Sequence, residues 1–221
     1  MWNRQQVKEQ AKIIMKRNYW KMFVVTLIAG ILSGDYVTVI QEIQNFVPDV
    51  VLPSVFPSIL SFLSMESIVG LLFSIFIGFA IRVGEQYYFI KNHYGNPALN
   101  EIFQGFKGNY LNVVKIMLIM ELKIMLWLLL LVVPGIIKAY EYSMIPYLLA
   151  ENPNITTDEA FSLSKQMTTG QKMDLFVLDL SFLGWIILGL ICCGIGILFV
   201  LPYPEATKAE VYLNLKESVK I

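Results

Sequence analysis

Long apolar runs punctuate this chain, and three of them open from a short amphipathic segment. Residues 3–17 set Val7, Ala11 and Ile14 at helical spacing with Lys8, Lys12 and Lys16 on another face, which predicts an amphipathic helix. Asn18-Tyr19-Trp20 follows, with aromatics that favour the headgroup level of a bilayer, and Met22 to Gly34 is then free of charge. A first membrane span is expected from there to about Ile40. Leu99, Ile102, Phe103 and Phe106 predict a second amphipathic helix, and Asn109-Tyr110 leads from it into a span over roughly 111–133. The third amphipathic helix is expected after Thr156 or Thr157, either of them a good N-cap, with Glu159 in its first turn.

Return spans lie between these segments. Ser67 to Ile81 is uncharged, and its helix is expected to run past Arg82 to about Phe89. Pro134-Gly135 predicts a tight external turn into a short span over roughly 136–150. Residues 180–204 hold 25 uncharged positions. That length suits one tilted span or a hairpin over about 173–192 and 196–214, turning at Gly194 and Gly196. Residues 41–66 carry Pro48, Pro53 and Pro57 among valines and phenylalanines; because proline breaks helices, they predict a long apolar external loop.

The hairpin reading gains weight from an internal repeat. Pro134-Gly-Ile-Ile-Lys138-Ala139-Tyr-Glu-Tyr142 recurs as Pro204-Glu-Ala-Thr-Lys208-Ala209-Glu-Val-Tyr212, and more weakly as Gly78-Phe-Ala-Ile-Arg82. Arg82 and Lys138, Glu85 and Glu141, and Asn96-Pro97 and Asn152-Pro153 all keep one offset of 56 residues. The expected fold is all-α: a single polytopic membrane bundle of six transmembrane helices over 1–221, in three pseudo-repeats of about 1–92, 97–150 and 155–215. Each unit brings a cytoplasmic interfacial helix, and packing in a ring would create a pseudo-threefold axis.

Composition agrees with lipid as the main solvent. The chain is 56% hydrophobic and only 15% charged, against about 25% charged in soluble domains. Net charge is zero, which gives no attraction to nucleic acid. Arg4, Lys8, Lys12, Lys16, Arg17 and Lys21 precede the first span, and the expected external segments hold no Lys or Arg. The positive-inside rule then predicts a multi-pass plasma-membrane protein with both termini cytoplasmic, its interfacial helices facing anionic lipid. The roughly twenty residues of polar, helix-like sequence before the first apolar run do not resemble a secretory leader. Cys192 and Cys193 are adjacent, so no disulfide framework is expected. The lone His93, in a polar stretch read as loop, predicts neither a metal site nor histidine catalysis.

Charges inside the apolar runs are the candidate chemistry. Glu121 and Lys123 interrupt the third span, and Asp179 the fifth. Such charges usually face the protein interior. Glu121 and Lys123, two residues apart, point in different directions, so Lys123 is expected to meet Asp179. The contact would serve an ion, proton or substrate site, or a buried pair that fixes helix register. Arg82, Lys138 and Lys208 stand at equivalent positions and form a candidate ring of ligand-binding cations for a lipid headgroup or an anionic substrate; snorkelling to the interface accounts for them as well. Gly184, Gly189, Gly194 and Gly196 point to close helix packing. No catalytic residues, metal ligands or cofactor motif are expected, since no P-loop, dinucleotide fingerprint or Ser-His-Asp set is present.

Val133-Pro-Gly-Ile-Ile-Lys-Ala-Tyr-Glu-Tyr-Ser-Met, the Ala150-Glu-Asn-Pro break and Asp179-Leu-Ser-Phe-Leu-Gly-Trp185 resemble a bacterial integral-membrane family known as domain of unknown function 975. Lys-x-x-Ala-Lys12 and Tyr19-Trp20 agree with it. The resemblance implies a six-span membrane protein and no defined activity. A more distant likeness to the membrane domain of some glycerophosphodiester phosphodiesterases implies lipid-related work without catalytic residues. Three functions stay open: a non-enzymatic protein engaging lipid, a membrane peptide or a membrane partner; a small transporter or channel using the intramembrane charges; and a lipid enzyme whose nucleophile is not visible.

Overall fold

The first amphipathic segment and the first apolar run form one helix, α1 (Arg4–Ser33), which bends where the pattern changes. Asn18 leaves helical geometry at φ −134°, ψ 25°. The computed structural model describes residues 2–33, 68–191 and 195–219. The expected external loop 41–66 lies outside the described residues, as do Cys192, Cys193 and Gly194.

The remaining described elements are helical. α2 (Ile68–Phe73) runs through a π-helical turn, Ser74–Gly78, into α3 (Phe79–Tyr94). A 3-10 helix (Leu99–Phe106) leads to α4 (Tyr110–Leu130). α5 (Val132–Tyr142), α6 (Ile145–Glu151) and α7 (Thr157–Thr168) follow. The chain ends with α8 (Lys172–Ile191), α9 (Ile195–Val200) and α10 (Pro202–Val219). The all-α expectation holds.

Several boundaries move for identifiable reasons. The turn after α4 falls at Leu131, in extended geometry (φ −157°, ψ 137°), and not at Pro134-Gly135. Those two residues sit in the first turn of α5, where a proline lacks only an N–H that would be unbonded anyway. The return path through 132–151 breaks at Ser143-Met144, and Pro146 restarts the helix in its first turn. His93 belongs to the last turn of α3, not to a loop. Thr156 caps α7, accepting from the Glu159 N–H at 3.3 Å. Gly108 (φ 71°) and Gly170 (φ 76°) close the second and third amphipathic elements, in the left-handed region that glycine reaches without strain.

Packing links the elements in a cycle. The 3-10 helix lies across α3, α7 packs on α5 and α6, and α1 packs on α10. The first contact is very close. A Cβ at Gly84 would fall 1.7 Å from the Ile102 carbonyl oxygen, and one at Gly105 would fall 2.0 Å from that of Ala80. α3 also packs on α6 and α10, and Tyr147 stacks on Tyr212 at 5.0 Å. α8 and α9 form a hairpin, with Gly189 against the Gly196-Ile197 backbone. Gly184, expected at a close contact, has nothing within 4 Å of its would-be Cβ.

Among the described residues no helix is long and apolar enough to cross a membrane. Lys115, Glu121 and Lys123 interrupt α4, and breaks at Ser143-Met144 and Leu201 shorten two return paths.

Candidate functional site

Two asparagines fasten the frame around the site. Asn18 Nδ2, at the bend of α1, donates to Asn92 Oδ1 at 2.7 Å and to the Gly95 carbonyl at 3.3 Å. Asn112 Nδ2, in the first turn of α4, donates to the carbonyls of Pro153 (2.9 Å) and Ile155 (2.8 Å). In both cases the start of an outgoing helix is tied to the Asn-Pro break that ends its return path. Arg17 adds bonds to the Asn92 and Gly95 carbonyls, and Lys21 reaches Asn96 Oδ1 at 2.8 Å. A side-chain amide is therefore anchored at each break, on Asn92 and Gly95 just before Asn96-Pro97 and on Pro153 and Ile155 at the second.

Inside this frame α3, α4, α5, α6, α8 and α10 enclose a cavity of about 520 Å³. Its floor is charged: Arg82, Glu121, Asp179, Glu205 and Lys208, with Gln86 beside them. Its wall is apolar where Ile124, Leu128 and Ile136 continue the same helices outward. Arg82 lies 3.1 Å from Glu121, joining α3 to α4. Lys208 lies 3.6 Å from Asp179 and 4.0 Å from Glu205. Tyr140 donates its hydroxyl hydrogen to Asp179 at 3.0 Å.

The expected cation ring is divided. Arg82 and Lys208 share the cavity floor, but Lys138 does not line it. Lys138 is held by Glu141 at 2.7 Å, and Lys172 approaches the same carboxylate at 2.5 Å. The expected Lys123–Asp179 contact is also absent. Lys123 projects to the opposite face of α4 and sits 3.8 Å above the Phe161 ring of α7, while Asp179 faces Lys208 and Tyr140. Two residues along a helix turn a side chain by about 200°, which sends Lys123 away from the cavity that Glu121 enters. Gln86 was not singled out in the sequence, although it stands one turn beyond Arg82 on the same face.

Two features lie outside the cavity. His93 Nδ1 approaches Glu210 of α10 at 2.7 and 2.9 Å, joining α3 to α10. On α1, Lys8 Nζ donates to Ser181 Oγ at 2.5 Å and lies over the Phe182 ring at 4.6 Å. Burial, then the neighbouring Lys12 and Arg4 charges, pushes the Lys8 ammonium below the usual lysine range. Among the described residues no group of three His, Cys, Asp or Glu stands together to hold a metal ion.

The family described as Protein of unknown function (DUF975) matches residues 128–219, the stretch from the end of α4 through α10. The expected family resemblance is thus shown there; the Lys-x-x-Ala-Lys12 and Tyr19-Trp20 likenesses fall outside the matched residues. That match does not extend to glycerophosphodiester phosphodiesterases. No curated protein and no solved structure matches the chain.

Proposed function

We propose that this chain, of the DUF975 family over residues 128–219, is a non-enzymatic multi-pass plasma-membrane protein that binds an amphiphile in the central cavity. One observation carries the reading: beyond the paired charges of the floor, α4 and the start of α5, α8, and the segment that leads into α3 each present an uncharged stretch that exposes large apolar residues. From Met125 to Val133 nine consecutive apolar residues are all exposed, Leu129 by 83%. Beyond Asp179, Leu180, Leu183, Trp185, Ile187 and Leu188 are exposed too, and before Arg82 so are Leu71, Leu72 and Phe76. In water an apolar patch of that extent is a liability; against acyl chains it is ordinary.

An amphiphile fits the cavity because the cavity is itself amphiphilic. A headgroup would meet the charged floor while a chain followed Ile124, Leu128 and Ile136 toward the exposed apolar surface. Engagement of lipid is favoured over engagement of a free anion, since Arg82 and Lys208 each already face a carboxylate. The basic stripe of α1 supports a cytoplasmic face against anionic headgroups, which would relieve the mutual repulsion of Arg4, Lys8 and Lys12. The six-span, three-unit architecture is part of the same proposal, with α5 and α6 as the two segments of one return path.

The test is fractionation of cells expressing the full chain, followed by native mass spectrometry of the protein in mild detergent. Retention in the membrane pellet after alkaline carbonate washing, with co-purifying lipid lost in Arg82→Gln/Lys208→Gln, is the expected result. Release by carbonate would sink the membrane assignment. The alternative of a small transporter draws on the same floor of charges, and solute flux into proteoliposomes separates it from binding alone.

A further inference from the structure

We infer that the amphiphile's headgroup carries a protonated primary amine, received by the side chains of Gln86 and Glu205. The inference rests on the amphiphile-binding reading above and adds the chemistry of the head.

The cavity floor has more acceptors than donors. Three carboxylates, Glu121, Asp179 and Glu205, face two cations, Arg82 and Lys208. Glu121 has Arg82 at 3.1 Å, and Asp179 has both Lys208 at 3.6 Å and the Tyr140 hydroxyl at 3.0 Å. Glu205 is the weakly held one. Lys208 stands 4.0 Å from it, and its hydrogen bond from Gln86 Nε2 is long, at 3.4 Å. Gln86 itself is only 6% exposed, and its Oε1 is buried without a hydrogen-bond partner. Buried carbonyls without a donor are rare in folded proteins.

What this corner lacks is a positively charged donor of several N–H bonds. A primary ammonium supplies three, enough to reach the Gln86 carbonyl, once its amide turns into the cavity, together with the Glu205 carboxylate. An anionic head brings no N–H and adds charge to a floor that is already net negative. A quaternary ammonium carries the right charge but no N–H to give. In a zwitterionic head the amine takes this corner and leaves the phosphate to Arg82 and Lys208.

The experiment titrates the full chain in mild detergent with three lysophospholipids of one chain length, read by native mass spectrometry. They are lysophosphatidylethanolamine, lysophosphatidylcholine and lysophosphatidylglycerol. The expected result is at least tenfold tighter retention of the ethanolamine lipid than of the choline lipid, in which three N-methyl groups replace the three N–H groups. Gln86→Leu should reduce that ratio to near one. Glu205→Gln, the same size as the native side chain, should weaken the ethanolamine lipid selectively, and it serves if Gln86→Leu does not fold. Equal binding of ethanolamine and choline lipids by the native chain overturns the amine while leaving the amphiphile reading intact. Preference for the glycerol lipid overturns it in favour of an anion. Failure to bind any of the three, in protein that stays in the membrane fraction, overturns both.

Discussion

At the residue scale the sharpest constraints are two glycines whose importance is set across space. Gly84 and Gly105 let the 3-10 helix and α3 meet backbone to backbone, and the atoms that an added methyl would strike are carbonyl oxygens at 1.7 and 2.0 Å. Backbone carbonyls cannot turn aside as a side-chain tip can. Gly84→Ala and Gly105→Ala are each expected to destabilise the protein by about 2 kcal/mol or more, the upper part of the range for overpacking. Thermal unfolding in detergent checks this, with Gly184→Ala as the control. Position 184 faces open space inside α8, so its substitution should leave the protein as stable as the parent or raise stability by up to about 1 kcal/mol. In the sequence the conspicuous glycines are those of the C-terminal apolar run. Gly189 does pack closely, but Gly184 does not, and the tightest contacts are at the inconspicuous Gly84 and Gly105. A packing glycine has no local signature, because what makes it necessary is the neighbour it meets.

Between elements the ion pairs decide which helices are held together, and here the sequence was legible only in part. Period and capping residues place the amphipathic helices well, and α1 bends at Asn18, a turn before the uncharged run that opens at Met22. The i,i+3 pair Lys138–Glu141 follows directly from helical spacing. Partners across helices do not follow, because periodicity tells which residues share a face and not which foreign face it meets. Lys123 and Asp179 stand in the sequence as unpaired charges of separate apolar runs, whereas the fold gives Asp179 to Lys208 and Lys123 to the Phe161 ring. Charge reversal distinguishes the two arrangements. Asp179→Lys sets two ammonium groups together and should lower the unfolding temperature. Adding Lys208→Asp should restore most of the loss, for a coupling of about 1 kcal/mol or more. Lys123→Asp in the Asp179→Lys background should restore nothing. Rescue by the Lys123 change and not by the Lys208 change would return the contact to the sequence-based pairing.

For the whole molecule the pattern of apolar runs makes an all-helical fold legible, and α1 packs on α10, the 3-10 helix on α3 and α7 on α5 and α6. The depth of the apolar half was less legible, because charge positions had to be read together across helices that the sequence does not align. From Ile68 to Ile81 the uncharged stretch is about 21 Å of helix, from Leu180 to Ile191 about 18 Å, and from Ile124 to Leu130 about 11 Å. The hydrocarbon core of a typical bilayer is about 30 Å. A chain that inserts this apolar half must therefore draw its charged floor into the lipid or thin the lipid around it. Pairing of Arg82 with Glu121 and of Lys208 with Asp179 lessens the first cost, and local thinning carries a fraction of a kcal/mol per Å of mismatch. On the proposed membrane assignment, thin bilayers should suit the fold better. Reconstituted into phosphatidylcholine vesicles with 14-carbon monounsaturated chains, the protein should unfold at a higher temperature than in vesicles with 22-carbon chains. A few ångströms of relieved mismatch correspond to about 1–2 kcal/mol, enough to separate the transitions by several degrees. The reverse order, or transitions that coincide across the series, would mean that the charged floor does not mark the edge of the lipid-facing surface. The polar cavity would then have to be read as lying within a full-length span.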